Sequence, residues 1–104
     1  MKVNITAVAR TEVFAIQDWI AQDNPWRAES FGQELVEKCL AIGLNHRLYP
    51  LARNLETQDI RRRLHKGYLI FYRVGGDSID ILHILHGARD YIALIGEGDP
   101  HTKE

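Results

Sequence analysis

With 104 residues, 45% of them hydrophobic and 26% charged, the chain has the length of one soluble domain with one packed core, and it contains no apolar run long enough to cross a membrane. A formal charge of -1 excludes a protein that holds nucleic acid by its overall field. A lone cysteine, Cys39, excludes an internal disulfide, and the first five residues carry no signal-peptide core, so the cytoplasm is the expected compartment.

Residues 2–5 alternate polar and apolar, with Val3 and Ile5 on one side, and predict a short strand. Thr6 is placed to cap a helix in which Ala9, Val13, Ile16 and Ile20 recur at spacings of four, three and four, a buried stripe along one face. Trp19 widens that stripe at its edge. Asn24 and Pro25 predict a second helix after a very short link, because asparagine caps well and proline lacks only an N–H that the first turn leaves unused. Ala28, Phe31, Leu35, Cys39 and Ile42 continue the apolar spacing, so the two helices are expected to form an antiparallel hairpin that stops near Gly43 and Asn45. Cys39 within this stripe reads as a small core residue rather than a nucleophile.

Residues 46–59 show no sustained period and contain Pro50, which predicts a connecting loop. Residues 60–66 predict a basic strand and Gly67 a break. Residues 68–74 are rich in aromatic and β-branched side chains suited to a pleated surface. Gly75, Gly76 and Asp77 form a hairpin turn, and residues 78–86 return as a strand whose near-continuous apolar content places it centrally. Residues 88–95 predict either a helical turn or a last strand. The expected architecture is α+β: an N-terminal strand, then an antiparallel helical hairpin packed on a three- to four-stranded antiparallel sheet. Residues 1–95 form the single domain, and 96–104 a polar tail.

Charge is unevenly distributed. Residues 60–74 hold Arg61, Arg62, Arg63, Lys66 and Arg73 without one acidic residue, whereas residues 1–59 carry six Lys or Arg against eight Asp or Glu. One local positive surface on a mildly acidic protein suits an acidic protein partner at least as well as a nucleic acid. The bland alternative is a solvated edge strand whose charges discourage unwanted pairing. No Gly-rich loop precedes a helix, so no phosphate cofactor is implied. His83 and His86 stand too close together, with no cysteine pair or carboxylate cluster to complete a metal site.

Ile16 through Ile20, Asn24-Pro25 with Ala28 and Phe31, Pro50, Gly67-Tyr68, Phe71-Tyr72-Arg73 and the close His86-Gly87-Ala88-Arg89-Asp90 occur in an order that resembles the RelE/ParE toxin superfamily, over roughly residues 3–92 and nearer its ParE branch. Ala52 stands before Arg53 where many relatives have Gly-Arg, which concerns the local turn. The resemblance implies a cytoplasmic toxin of a type II toxin–antitoxin pair, without cofactor, in a hetero-oligomer with a ribbon-helix-helix type antitoxin. ParE-type members are held to poison DNA gyrase, and RelE-type members to cut mRNA on the ribosome; a degenerate scaffold that only binds antitoxin is a third reading.

A metal-independent nuclease needs groups that move protons and cations that steady a charged phosphate. Its candidates here are Arg61, Arg63, Arg73, His86, Arg89 and Tyr91. Arg61 and Arg63 are expected to share one strand face, with Arg73 on the neighbouring strand. On the gyrase reading no residue is catalytic, and Arg61, Arg62, Arg63, Lys66, Arg73 and Arg89 are the expected partner-binding set. Arg89 beside Asp90 has a structural reading too, fixing the chain after the last strand.

Overall fold

The computed structural model describes residues 1–87 and 91–96. Residues 88–90, Arg89 among them, and 97–104, most of the expected tail, lie outside the described residues. β1 (Lys2–Ile5) leads into α1 (Ala7–Ala21) and α2 (Pro25–Ala41), which ends in a 3₁₀ turn, Ile42–Leu44. A second 3₁₀ turn, Glu56–Gln58, precedes β2 (Ile60–His65), β3 (Tyr68–Gly75) and β4 (Ser78–His86), and α3 (Tyr91–Gly96) closes the described chain.

Both helix starts follow from local chemistry. Thr6 Oγ1 accepts from the Ala9 N–H at 3.2 Å, and Asn24 Oδ1 from the Arg27 N–H at 3.0 Å, each satisfying an amide that the first turn leaves without an intrahelical partner. Thr6 has a second role: its hydroxyl donates to Ile81 O at 2.7 Å, which fastens the start of α1 to β4. At the other end of the hairpin, Gly43 lies against the backbone of Met1. A side chain there would put its Cβ 2.5 Å from the Met1 carbonyl oxygen, so only glycine lets β1 approach so closely.

The sheet runs β1-β4-β3-β2. β2, β3 and β4 are antiparallel as expected, but β1 pairs parallel to β4, from Lys2 opposite Ser78 to Ile5 opposite Ile81. The sheet is therefore mixed rather than wholly antiparallel. The direction of β1 was invisible locally because no hairpin joins it to its neighbour; the chain returns to it only after two helices and two strands. Between β2 and β3, Lys66 and Gly67 form a two-residue turn with φ of 47° and 87°. Lys66 thus sits in the turn and not in the strand, and positive φ at both centres matches the right-handed twist of the flanking strands.

The apolar run in β4 is resolved by a bulge. Phe71 pairs with His83 but Tyr72 with Ile81, leaving Leu82 as the extra residue. Ile79, Ile81 and Ile84 consequently join Ile70, Tyr72 and the helical seam in one core, while Leu82 and Leu85 join Leu69, Phe71 and Ile60 in a second. That second core lies on the sheet face away from α1 and α2 and is covered by Ala52 and Leu55 from the loop and by Ile95 and Tyr91 from α3. The segment 46–59 is therefore more than a connection. Its backbone also pairs with the outer edge of β2, with Ala52 N–H donating to Ile60 O at 2.7 Å and Arg62 N–H to Pro50 O at 3.0 Å. Ala52 is fully buried, and the left-handed residue of this turn is Asn54, φ 66°, so alanine at position 52 is accommodated without strain.

Candidate partner-binding surface

The basic run is committed first to this chain's own backbone. Arg61 Nη1 donates to Tyr49 O at 2.7 Å, and Arg73 Nε to Gln58 O at 3.0 Å. Arg63 Nη1 donates to Lys38 O at 2.9 Å, and its guanidinium lies 4.9 Å from the Tyr49 ring centroid. The Arg63 contact caps α2: the Ile42 N–H turns to Cys39 and Leu40, and the guanidinium serves Lys38 O in its place. Arg61 and Arg63 do share the helix-facing side of β2, since they pair with Tyr72 and Ile70. Arg62 pairs with Phe71 on the opposite side.

The five nuclease candidates among the described residues do not gather at one place. Arg73 pairs with Ile60, on the face of the second core, away from Arg61 and Arg63. His86 pairs with Tyr68 at the far end of β3, five residues from Arg73, which is roughly 17 Å along a strand. His86 is exposed, its ring edge-on to Tyr68 at 5.3 Å. Tyr91 tilts against Phe71 at 4.8 Å and packs on the second core. Arg89 lies outside the described residues. Cys39 is fully buried, and burial pushes its thiol up to about 12, which suits packing and not nucleophilic attack.

Glu34 gathers a cluster that sequence reasoning missed. Its carboxylate accepts from Arg27, from Lys66 Nζ at 3.1 Å and lies 3.1 Å from His65 Nε2, and these hydrogen bonds, Arg27 foremost, hold it down at about 2. Phe31 stacks on His65 at 5.8 Å and lies under Arg27 at 5.0 Å, so α2 is bound to the β2–β3 turn by both charge and ring contacts. The residues span positions 27 to 66, and no local spacing announces them. Because the folded carboxyl sits below its free value of 4.5, its contribution is complete above pH 4.5 and is lost as pH falls toward 2. Glu34→Gln is expected to flatten the stability profile in that window, as read by urea titration at stepped pH; an unchanged profile would remove the cluster from acid sensitivity.

A groove between α1 and α2, reaching Ile5 of β1, offers a partner an apolar surface. Val13, Phe14 and Val36 line its middle, Arg10 and Glu37 one end, Gln17 and Gly32 the other, around a volume of about 560 Å³. It arises because the inward stripes of α1 and α2 are used up in the core, whereas Phe14 is 58% exposed and Leu40 52% exposed. Val36 and Leu40, one helical turn apart on α2, are both exposed on the same side of the helix. Exposed apolar side chains lining a groove make it a candidate interaction surface. The signal was present in the sequence as apolar residues off the buried stripe.

A smaller cleft of about 430 Å³ lies between Trp19 of α1 and Tyr68, Leu85 and His86 of the sheet. Among the described residues no His, Cys, Asp and Glu group gathers as a metal site would, and no helix is long and apolar enough to cross a membrane.

The family model described as the ParE toxin of the type II toxin–antitoxin system parDE matches residues 3–91. Among solved structures the chain is similar to one titled as the chromosomal ParDE toxin–antitoxin system from P. aeruginosa, with 25% identity, a TM-score of 0.71, and coverage of 83% of this chain and 95% of that one. No functionally curated protein matches the chain.

Proposed function

We propose, because this chain belongs to the ParE toxin family of type II toxin–antitoxin systems, that it arrests growth by poisoning DNA gyrase through a protein–protein contact. An antitoxin encoded beside it, with a ribbon-helix-helix DNA-binding start, holds it silent by laying an apolar helical segment in the α1–α2 groove. The observation that favours a non-enzymatic mode over RNA cleavage is the separation of Arg73 from His86 along the β3–β4 pairing, which keeps these two from acting on one phosphate. The antitoxin reading draws on the groove's exposed Phe14 and Val36 and on the similar structure, which is titled as a ParDE system. A helix in an apolar groove is a recurrent mode of recognition. Acidic residues of the same segment meet Arg61, Arg62, Arg63 and Lys66; a guanidinium has five donors, so one bond to a backbone carbonyl leaves others for a carboxylate.

The test is a supercoiling assay with purified toxin and gyrase. Inhibition is expected, and the product of the adjacent reading frame should relieve it. No inhibition, together with mRNA cleavage on translating ribosomes, would replace this reading with an endoribonuclease; unchanged growth on expression without antitoxin would leave only a scaffold that binds antitoxin.

A further inference from the structure

Gly32 sits in the interior of α2, where a glycine costs about 1 kcal/mol relative to alanine. Helix formation gives no reason to keep it. It is nevertheless buried, and the group that covers it is the side chain of Gln17, which crosses from α1 and donates from Nε2 to Ala28 O at 3.2 Å. A Cβ at position 32 would lie 2.5 Å from Gln17 Cδ and 3.0 Å from Cγ, so alanine and the present seat of Gln17 exclude each other. Beneath that seat the seam is filled by buried Val13, Ile16, Phe31 and Leu35. Both residues line the groove, so a Gln17 side chain turned out of this seat alters the shape of the groove.

We propose that Gly32 and Gln17 together form the floor of the partner groove, and that this floor sets the size of the apolar side chain a partner helix can insert beside Phe14 and Val36. The inference rests on the reading that the antitoxin's helical segment occupies this groove. Its occupant is an amphipathic helix: the middle of the groove is apolar, while charges of both signs, Arg10 and Glu37, stand at one end and the Gln17 amide at the other, which suits a helix with one apolar row and polar flanks. Gly32 gives the floor its depth, and the Gln17 amide, held down by Ala28, keeps that depth from closing. Specificity then comes from space as well as from attraction, since a partner whose side chain at that end of the groove is larger clashes and one whose side chain is smaller loses contact.

The experiment measures affinity for the purified product of the adjacent reading frame by titration calorimetry, for four variants of the full chain. Gly32→Ala is expected to fold normally, by circular dichroism and thermal melting, and to bind at least about tenfold more weakly. Gln17→Ala alone deepens the floor without obstructing the groove and should weaken binding, though less than Gly32→Ala does, and Gly32→Ala with Gln17→Ala should bind more tightly than Gly32→Ala alone, a coupling that additivity does not give. Val36→Asp puts a charge in the middle of the groove and should abolish binding whether or not the floor matters. If Val36→Asp binds like the parent, the groove is not the docking site and both readings fall. If Val36→Asp abolishes binding while Gly32→Ala binds like the parent, or the double variant stays as weak as Gly32→Ala, the groove stands and the floor proposal is overturned.

Discussion

Tyr72→Ala is expected to destabilise the fold by about 3–5 kcal/mol, the range for removing a large ring from a packed interior, and to leave little folded protein at 37 °C. Tyr72 is fully buried in the core beneath the helices, edge-on to Tyr49 at 6.5 Å, and its hydroxyl donates to His46 O at 2.5 Å. Tyr72→Phe separates the two contributions. It keeps the ring and strands the His46 carbonyl, at an expected cost of about 1–2 kcal/mol, or a melting temperature lower by roughly 4–8 °C per kcal/mol in a domain of this size. Urea denaturation of the two variants reads both values, and a Tyr72→Phe protein as unstable as Tyr72→Ala would show that the hydrogen bond, not the packing, dominates. Burial also pushes the Tyr72 hydroxyl up to about 12 from its ordinary 10.0. The folded state therefore favours the protonated form, and the associated stability is complete below pH 10 and lost as pH rises toward 12; Tyr72→Phe should lack this alkaline step.

The second large effect is expected at Glu12, a residue of α1 that does the work of a missing strand. β1 pairs with β4 only as far as Ile81, and beyond it the β4 edge would face outward with its amides unpaired. Glu12 Oε1 accepts the Ile84 N–H at 2.8 Å, and its Oε2 lies 3.0 Å from His83 Nδ1. Glu12→Ala removes both at once and is expected to cost about 2–3 kcal/mol, the range for hydrogen bonds to a charged group with one partner left stranded. Glu12→Gln retains an acceptor for Ile84 and should lose less than half as much. Native-state hydrogen exchange at the Ile84 amide offers a local readout: protection should fall sharply in Glu12→Ala, and unchanged protection would mean that another group covers that edge.

Most of the helical layer was legible in the residues. Ala9, Val13 and Ile16 are buried on α1, and Ala28, Phe31, Leu35 and Cys39 on α2, as their spacing requires. Thr6 and Asn24 cap where they were expected to, because a cap is an interaction within three residues. Turn chemistry at Gly67 and Gly76 was equally local, both having positive φ. The order of elements and the His86 to Asp90 close were enough to place the chain near the ParE branch, and the match over residues 3–91 bears that out.

What composition and spacing did not contain was the relation between distant segments. The basic run was visible as a run, yet not that Arg61, Arg63 and Arg73 bond to Tyr49, Lys38 and Gln58 carbonyls. Arg73 and His86, both nuclease candidates, stand at opposite ends of the β3–β4 pairing because the register sets Arg73 against Asp80 and Tyr68 against His86.

Thus the sequence by itself determined the helical hairpin, its caps, the three antiparallel strands and the family, since periodicity and capping act over one or two turns of chain. The tertiary structure alone decided the parallel seat of β1, the second core under α3, the Glu34 cluster and the groove floor at Gly32. Each of these joins side chains or backbone far apart in the chain, and their meeting is set by register and packing rather than by any preference a short stretch can express.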